Sequence, residues 1–545
     1  MKRNTLTTAV LAGLTGLAGM VSVSNAVNVN PDGLGQVLLY PYYTTRGGND
    51  TLISIVNTTD RGKAVKIRFI EALNSREVYD FNIYMSAWDV WTAAVTDGAN
   101  GGARFLTTDT TCTVPRYFGN PQFAQGPGLF GDDFTNVLYS IANLTADGGP
   151  AGMDRTRSGY IEVIEMGVLG VDQVNNQDVE AAAEHRTSGP NRGLPPLSGT
   201  SGSNTDVQCG LFLERWIDSA FENGNGIWRE VNSSRGIEAP SGGLFGNASI
   251  INNERGTLLS YEAVAIDNFW DPTQGVVHTR PEDVTPALNS TLADTSVVFI
   301  SGMTNPEVAQ WNNPIDAVNH VLALETLSNE YNVNPGLAAE TEWVVTFPTK
   351  RFHVDAALDG PQEGATAARA PFTDLWTNAS PSSCDTMNIN VWDREEQNVT
   401  FAPDSGAVCP SPQIPGVPCN TEEGIVFEFC REANVVRFGP ADEALPAESG
   451  IFGEPSADAV ANAYAYINFP LPTGGYPWLE GWARISFADF QSVGAEDGRV
   501  FTGLPAIGFG ATTFTNDNIS EGVLANYGGS FRHRGSRAPM VTPSP

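Results

Sequence analysis

The sequence predicts an all-β fold, mainly antiparallel, made of two β-sandwich-like halves with long loops and a few short helices. Short segments rich in β-branched and aromatic residues follow one another along the chain. Residues 64–70 alternate strictly, so that Val65, Ile67 and Phe69 share one face of a strand. The 56 glycines and 35 prolines supply turns between such segments. Frequent, short alternating strands are typical of antiparallel sandwiches.

Strands account for most of the first half of the chain. Residues 97–131 and 175–206, rich in glycine and neutral polar side chains, are expected to form loops, and residues 207–221 a helix. The predicted strands cover residues 37–43, 51–57, 64–70, 78–85, 90–92, 158–166, 258–265 and 296–300.

One segment, residues 314–331, has sustained helical character. Asn313 is a suitable N-cap, Pro314 suits the first helical position, and Asp316 favours the positive end of the helix dipole. The expected apolar face consists of Ile315, Val318, Val321, Leu322 and Leu327.

Strands return in the second half, and a boundary near Asn334 divides the chain into regions 27–333 and 334–537, with a disordered tail at 538–545. Alternatively, the N- and C-terminal strands share one large sandwich into which the middle is inserted. The predicted strands cover residues 342–347, 387–392, 424–429, 434–438, 465–469, 481–487 and 504–510.

The N-terminus has the pattern of a secretory signal peptide. Lys2 and Arg3 precede an apolar run that ends in small residues, which predicts a signal at 1–26 with cleavage after Ala26. No later stretch is apolar for long enough to predict a transmembrane helix. The expected location is the periplasm, the outer cell surface or the medium.

Charge restricts the possible partners. The chain has 62 acidic and 30 basic residues, a net charge of −32 at pH 7. Such a surface repels phosphate backbones, so nucleic acid is not an expected partner. Cell-surface or extracellular components of unspecified identity are expected instead.

All six cysteines follow the predicted signal, and an even number in an exported chain favours disulfides. Cys384 and Cys430 flank two predicted strands that, if antiparallel neighbours, bring the sulfurs to one end of a sheet. Cys409 and Cys419 enclose a proline-rich loop. The predicted pairs are therefore Cys112–Cys209, Cys384–Cys430 and Cys409–Cys419, although the spacing permits other connectivities.

Three phrases resemble those of exported or cell-surface proteins of Gram-negative bacteria with no known activity. They lie at residues 35–43, 342–350 and 522–528, and the resemblance runs from Gly33 to Arg537. It implies a location in the bacterial envelope and brings no catalytic residues with it.

Catalytic signatures are weak. None of the five histidines lies in a zinc-binding spacing, and the Gly-x-Ser-x-Gly match at Ser201 lacks the strand and helix that a nucleophile needs. Carboxylate clusters could serve a glycosidase. They are Glu162 with Glu165, Asp267 with Asp271, and Asp393 with Glu395 and Glu396. On a regular strand Glu162 and Glu165 face opposite sides, so one exposed and one edge residue is expected.

No cofactor is expected other than a structural Ca²⁺, whose candidate oxygen ligands include Asp132, Asp133 and Asp517. The tryptophans Trp88, Trp91, Trp343 and Trp482 lie among apolar strand residues and are expected in the core. The sequence therefore favours a non-catalytic exported envelope or cell-surface protein with a structural or binding role. The alternative is a secreted carbohydrate-active hydrolase or a carbohydrate-binding protein that uses a carboxylate pair and an aromatic platform.

Overall fold

The computed structural model describes residues 25–142, 144–199, 207–217, 226–271, 276–358, 365–401, 427–440, 444, 446–456, 466–472, 478–516 and 525–543. Four large sheets make up the fold, and the helices are short. Apart from one parallel pair, the described strands within these sheets pair antiparallel. The all-β prediction is confirmed.

Two sheets from the first half of the chain pack face to face around an aromatic core that includes Tyr43, Phe69 and Trp91. The first sheet orders its strands as Asn28–Val29, Val264–Asp267, Val37–Thr44, Ser158–Leu169, Lys63–Glu71, Glu77–Met85 and Cys112–Val114, and Ile237–Glu238 pairs with Ser158–Leu169. The second sheet orders Thr257–Glu262, Leu244–Asn252, Asn49–Asn57, Val90–Asp97, Ala103–Thr107, Leu129–Asp133 and Ala124–Gly126.

Two further sheets come from the second half and enclose their own core, which includes Trp343, Val345 and Ile485. The third sheet orders Ile467–Leu471, Ala433–Pro440, Ala339–Thr346, Ile507–Phe514 and Tyr527–Arg532. The fourth sheet orders Asn398–Phe401, Asp385–Asp393, Glu480–Ser486, Thr326–Asn332 and Arg534–Ser536, and Phe427–Phe429 pairs with Asp385–Asp393.

Short strand pairs and short helices complete the described structure. The pairs are Val171–Asp172 with Gln177–Asp178, Leu197–Ser198 with Val207–Gln208, Thr295–Val298 with Glu307–Gln310, and Ala323–Leu324 with Leu504–Pro505. The α-helices are Val137–Ser140, Gly210–Trp216, Pro314–Leu322 and Arg351–Val354. None of the described helices is long and apolar enough to cross a membrane.

The central strand of the third sheet, Ala339–Thr346, is covered on both faces. Val344 packs into the core of the first two sheets, while its neighbours Trp343 and Val345 pack into the core against the fourth sheet. A strand covered on both sides needs apolar residues at successive positions. This placement explains the three successive apolar residues Trp343, Val344 and Val345 in the strand Ala339–Thr346.

The two parts of the chain are not independent. The strand Thr326–Asn332, placed in the N-terminal region by a boundary near Asn334, pairs with Glu480–Ser486 in the fourth sheet. Buried polar contacts also join the parts: Arg351 Nη2 lies 2.7 Å from Glu162 Oε1, and Tyr42 Oη donates to Glu454 Oε1 at 2.6 Å. Strand pairing and buried contacts therefore cross the sequence-derived boundary near Asn334.

The predicted helix at 314–331 is half correct. Asn313 and Pro314 begin it as expected, but the helix ends at Leu322. From Thr326 the chain is a strand, whose alternation buries Leu327 and Tyr331. Pairing with two strands of the fourth sheet satisfies the backbone there and outweighs the weak helical period.

Two other expectations need correction. The segment 97–131 contains the strands Ala103–Thr107, Cys112–Val114, Ala124–Gly126 and the start of Leu129–Asp133, because the first and second sheets both extend into it. The tail is ordered as far as it is described. Val541 exchanges backbone hydrogen bonds with Val500, and Met540 is buried.

Two disulfides are present, Cys112–Cys209 and Cys384–Cys430, in the pairing that the sequence predicts. Cys409 and Cys419 lie outside the described residues, as does the predicted signal up to residue 24. Ala26, the residue before the expected cleavage point, is buried. The disulfides are compatible with an exported protein.

Candidate functional site

A groove of about 740 Å³ lies where the fourth sheet meets the outer edge of the third. The strands Thr326–Asn332 and Glu480–Ser486 form one wall, together with the turn that follows Asp385–Asp393. The strands Ile507–Phe514 and Tyr527–Arg532 form the other. Concave sites with a few polar groups among aromatic rings are the usual places for small ligands.

A stacked tryptophan pair lies at this end of the fourth sheet. Trp392 and Trp482 are cross-strand partners, and their rings stack with centroids 4.1 Å apart and an interplanar angle of 7°. The Arg484 guanidinium lies over the Trp392 ring, 5.0 Å from its centroid. Trp482, which lines the groove, is 38% exposed. The pair offers a flat aromatic surface at the groove.

Two more rings line the opposite wall. Tyr527 is 63% exposed and Phe531 is 65% exposed. Gly528 and Gly529 lie between them on the same strand, and a side chain added at Gly529 would meet no atom closer than 4.0 Å. Three large exposed rings therefore line one groove, whereas exposed apolar residues are normally scattered singly.

Four carboxylates line the groove, namely those of Glu330, Asp393, Glu396 and Glu480. Glu480 is held by Asn334 Nδ2 at 3.0 Å and by Arg394 Nη1 at 2.9 Å. The hydrogen bond from Asn334, followed by the Arg394 charge, holds the pKa of Glu480 below its usual value. A charged Glu480 can accept hydrogen bonds from a ligand but has no proton to donate.

Asp393 stands at the end of its strand and organises the turn that follows. Its Oδ1 accepts hydrogen bonds from the backbone N–H groups of Glu395 and Gln397, at 2.9 and 2.8 Å. The residue is 4% exposed, and its Oδ2 has no hydrogen-bond partner among the described residues. Burial and then the charge of Asp393 raise the pKa of the neighbouring Tyr331.

The sequence singled out the cluster Asp393, Glu395 and Glu396, and the structure brings two of its members, Asp393 and Glu396, into the groove. The cluster of Glu162 and Glu165 differs from the expectation of one exposed and one edge residue, because both side chains are fully buried. Glu162 is paired with Arg68 and Arg351, and Glu165 with Lys63. Loops cover the outer face of the first sheet, so both faces of this strand are internal.

Of the three metal candidates, the structure describes Asp132 and Asp133. Asp132 accepts a hydrogen bond from Tyr79 Oη at 2.7 Å, its neighbour Asp133 is half-buried, and Asp517 lies outside the described residues. Within the described ranges, the one group with metal-like spacing is Cys384, Glu428 and Cys430, whose sulfurs form a disulfide. The calcium site therefore stays a prediction.

Four of the five histidines are buried in the interior. Burial lowers the pKa of His278 and His533 to about 4 and that of His320 and His353 to about 3. His320 accepts or donates a hydrogen bond with Ser296, and none of these four lines the groove. Their role is packing in the neutral form.

Reading the tryptophans as core residues is correct for Trp91 and Trp343 and wrong for Trp88 and Trp482, which are 66% and 38% exposed. Alternation could have placed Trp482 correctly. Trp482 is in phase with the polar Glu480 and Arg484, whereas Ala483 and Ile485 face the core. Tyr527, Phe531 and Glu480 were missed, because nothing local to their strands places them beside Trp482.

No protein-family model, curated protein or solved structure matches this chain. The groove and its chemistry are therefore the basis on which a function can be argued.

Proposed function

We propose that the protein is an exported, non-catalytic binding protein of the bacterial envelope that holds a glycan in the groove between its third and fourth sheets. The observation that carries the proposal is the stacked pair Trp392–Trp482 opening into a groove with two further exposed rings. The predicted signal peptide and the two disulfides support export.

Sugars suit this combination of groups. One face of a pyranose ring presents C–H groups, which pack on an aromatic ring, while the rim presents hydroxyls, which need hydrogen-bond partners. Trp482 and Tyr527 supply rings, and Asn332 and Glu330 line the same groove. Rings fix the plane of a ligand, and polar groups at the rim fix its orientation.

Glu480 supports binding rather than hydrolysis. A glycosidase needs one carboxyl group that stays protonated long enough to act as a general acid, so its pKa must be raised. The pKa of Glu480 is shifted the other way, by Asn334 and Arg394. Burial raises the pKa of Asp80, Glu342 and Glu432, and none of these carboxyl groups lines the groove.

The distribution of charge supports a partner other than an anionic polymer. All three lysines beyond the predicted signal, Lys63, Lys66 and Lys350, are buried, with at most 1% of each exposed. The internal cations are paired with internal acids, which leaves the surface strongly acidic. A surface of this kind repels nucleic acid and anionic polysaccharides.

Binding to a panel of neutral and amino polysaccharides, by affinity electrophoresis and calorimetry, tests the proposal. We expect the wild type to bind at least one of them and Trp482→Ala to weaken that binding about tenfold or more, since base–ring and sugar–ring stacking contribute comparably. Trp88→Ala is the matched control, because Trp88 is exposed but lies outside the groove. Unchanged binding by Trp482→Ala contradicts the proposal.

The second candidate, a carbohydrate-active hydrolase, is favoured by the four carboxylates in the groove. An assay for reducing ends on the same panel separates the two. Turnover that disappears in Glu396→Gln or Glu480→Gln would replace the binding proposal with a hydrolase.

A further inference from the structure

The proposed glycan site contains a buried acceptor that the protein leaves without a donor. Asp393 is only 4% exposed. Its Oδ1 accepts the two hydrogen bonds of the turn, but its Oδ2 has no hydrogen-bond partner among the described residues. An unpaired buried carboxylate oxygen is costly, so a native structure that keeps one has a reason to do so. Asp393 lines the groove, where a ligand can supply the donor.

The charge of the groove says which kind of donor suits it. Its lining includes the four carboxylates of Glu330, Asp393, Glu396 and Glu480 and a single basic side chain, Arg394, which is already paired with Glu480. The lining is therefore negative. Such a site attracts a cation and repels a uronic acid or a sulfated sugar.

We infer that the groove selects glycans that carry a protonated amine, and that Asp393 is the residue that receives this amine. The inference rests on the proposed glycan-binding function and adds the class of sugar. A primary ammonium on the ring gives Asp393 Oδ2 a charge-assisted hydrogen bond, which is stronger than a bond from a neutral hydroxyl. The ring itself stacks on Trp482, so amine recognition and stacking act on the same sugar.

Neighbouring groups are consistent with an amine at this place. Tyr331 Oη lies 3.5 Å from the backbone carbonyl of Trp392, directly before Asp393 in the chain. Glu330 is the cross-strand partner of Trp482 on the side away from Trp392. Arg484, the other cation on this face, lies over the Trp392 ring and is not among the residues that line the groove. An ammonium in the groove therefore meets carboxylates and a ring.

The test compares β-1,4-linked glucosamine oligomers with N-acetylated oligomers of the same length, by calorimetry at about pH 5.5, where the free amine is charged. We expect the free amine to bind about tenfold tighter or more. Asp393→Asn should abolish this preference by weakening binding of the free-amine oligomer more than binding of the N-acetylated one, while the asparagine oxygen still accepts the two turn hydrogen bonds. Asp60→Asn, an exposed acid outside the groove, should keep the preference.

The outcomes distinguish a failure of the amine assignment from a failure of the proposed glycan binding. Equal affinity of the wild type for both oligomers, or a preference that persists in Asp393→Asn, overturns the amine assignment and leaves glycan binding in place. A wild type that binds neither oligomer nor any member of the polysaccharide panel overturns the proposed function itself. Thermal unfolding of Asp393→Asn close to that of the wild type shows that the turn is intact.

Discussion

The buried ion pairs of the interior and the groove at the sheet edge use the same residue types in opposite ways. In the interior, Arg155 contacts Glu71 at 2.9 Å and Asp147 at 2.5 Å, and all three side chains are fully buried. In the groove, four carboxylates share one arginine. The interior balances its charges, whereas the groove has acids in excess.

The chain has 30 basic residues against 62 acidic ones, and the ion pairs show where many of the basic residues lie. Arginines and lysines are concentrated where loops cover the first sheet and where the two parts of the chain meet, and each is matched to a carboxylate there. Removing the cation of a buried ion pair costs about 3–5 kcal/mol, but an acid at a groove wall can be solvated. Unmatched acids at the groove are therefore tolerated by the fold and available to a ligand.

The largest expected effect comes from removing a cation of the interior. Arg155→Met leaves the buried Glu71 and Asp147 without their common partner, and we expect a loss of about 3–5 kcal/mol in the free energy of unfolding. Urea unfolding followed by tryptophan fluorescence measures it. A loss below about 1 kcal/mol, the range of exposed ion pairs, would contradict a structural role for this network.

A smaller effect concerns the pH dependence of the free energy of unfolding, in which the buried Glu342 should differ from Glu480 in the groove. Burial raises the pKa of Glu342 to about 7, against the opposing hydrogen bonds from the Ile451 and Phe452 backbone. The folded state then holds a proton that the unfolded state releases near its ordinary pKa of 4.5. This contribution to stability is complete below pH 4.5 and is lost as the pH rises through about 7.

Unfolding free energies measured from about pH 5 to 8 should therefore decline for the wild type, by up to about 3 kcal/mol from this group. Glu342→Gln should remove that part of the slope. Glu480→Gln, the control in the groove, should keep it, since the pKa of Glu480 is shifted downward. An identical pH dependence in Glu342→Gln and the wild type would be the contrary result.

The smallest expected effect on stability comes from removing the arginine of the groove, Arg394. Arg394 is 51% exposed, so Arg394→Gln should change the free energy of unfolding by less than about 1 kcal/mol. The same change leaves Glu480 unpaired and the groove more negative, so binding of a glucosamine oligomer should strengthen. Calorimetry and urea unfolding on one preparation check both, and weaker binding would contradict the charge argument.

Much of the strand pattern could be predicted. Aromatic, β-prone composition located the strand Val37–Thr44, and alternation located Lys63–Glu71 and Glu77–Met85, almost to the residue. Where alternation was not applied to each side chain, the prediction failed, as for Trp482. The same rule failed in principle for Glu162 and Glu165, because both faces of their strand are buried and its polar residues are neutralised by distant cations.

The candidate site was predicted only in part. Asp393 and Glu396 stood out as acids directly after a strand, which is a local signal. Their partners in the groove, Glu480, Tyr527 and Phe531, come from two later strands in two different sheets. No spacing along the chain records that these strands meet, so their combination could not be deduced from any one segment.

The sequence by itself determined the β class, most strand positions and two disulfide pairs, because side-chain alternation, turn residues and cysteine spacing are local properties. Only the tertiary structure decided that the third sheet lies between two cores, that the strand Thr326–Asn332 replaces the second half of a predicted helix, and that scattered acids and rings meet in one groove. These features depend on which distant segments pair and cover one another. Long-range burial and backbone pairing set them, and they outweigh local preference wherever the two conflict.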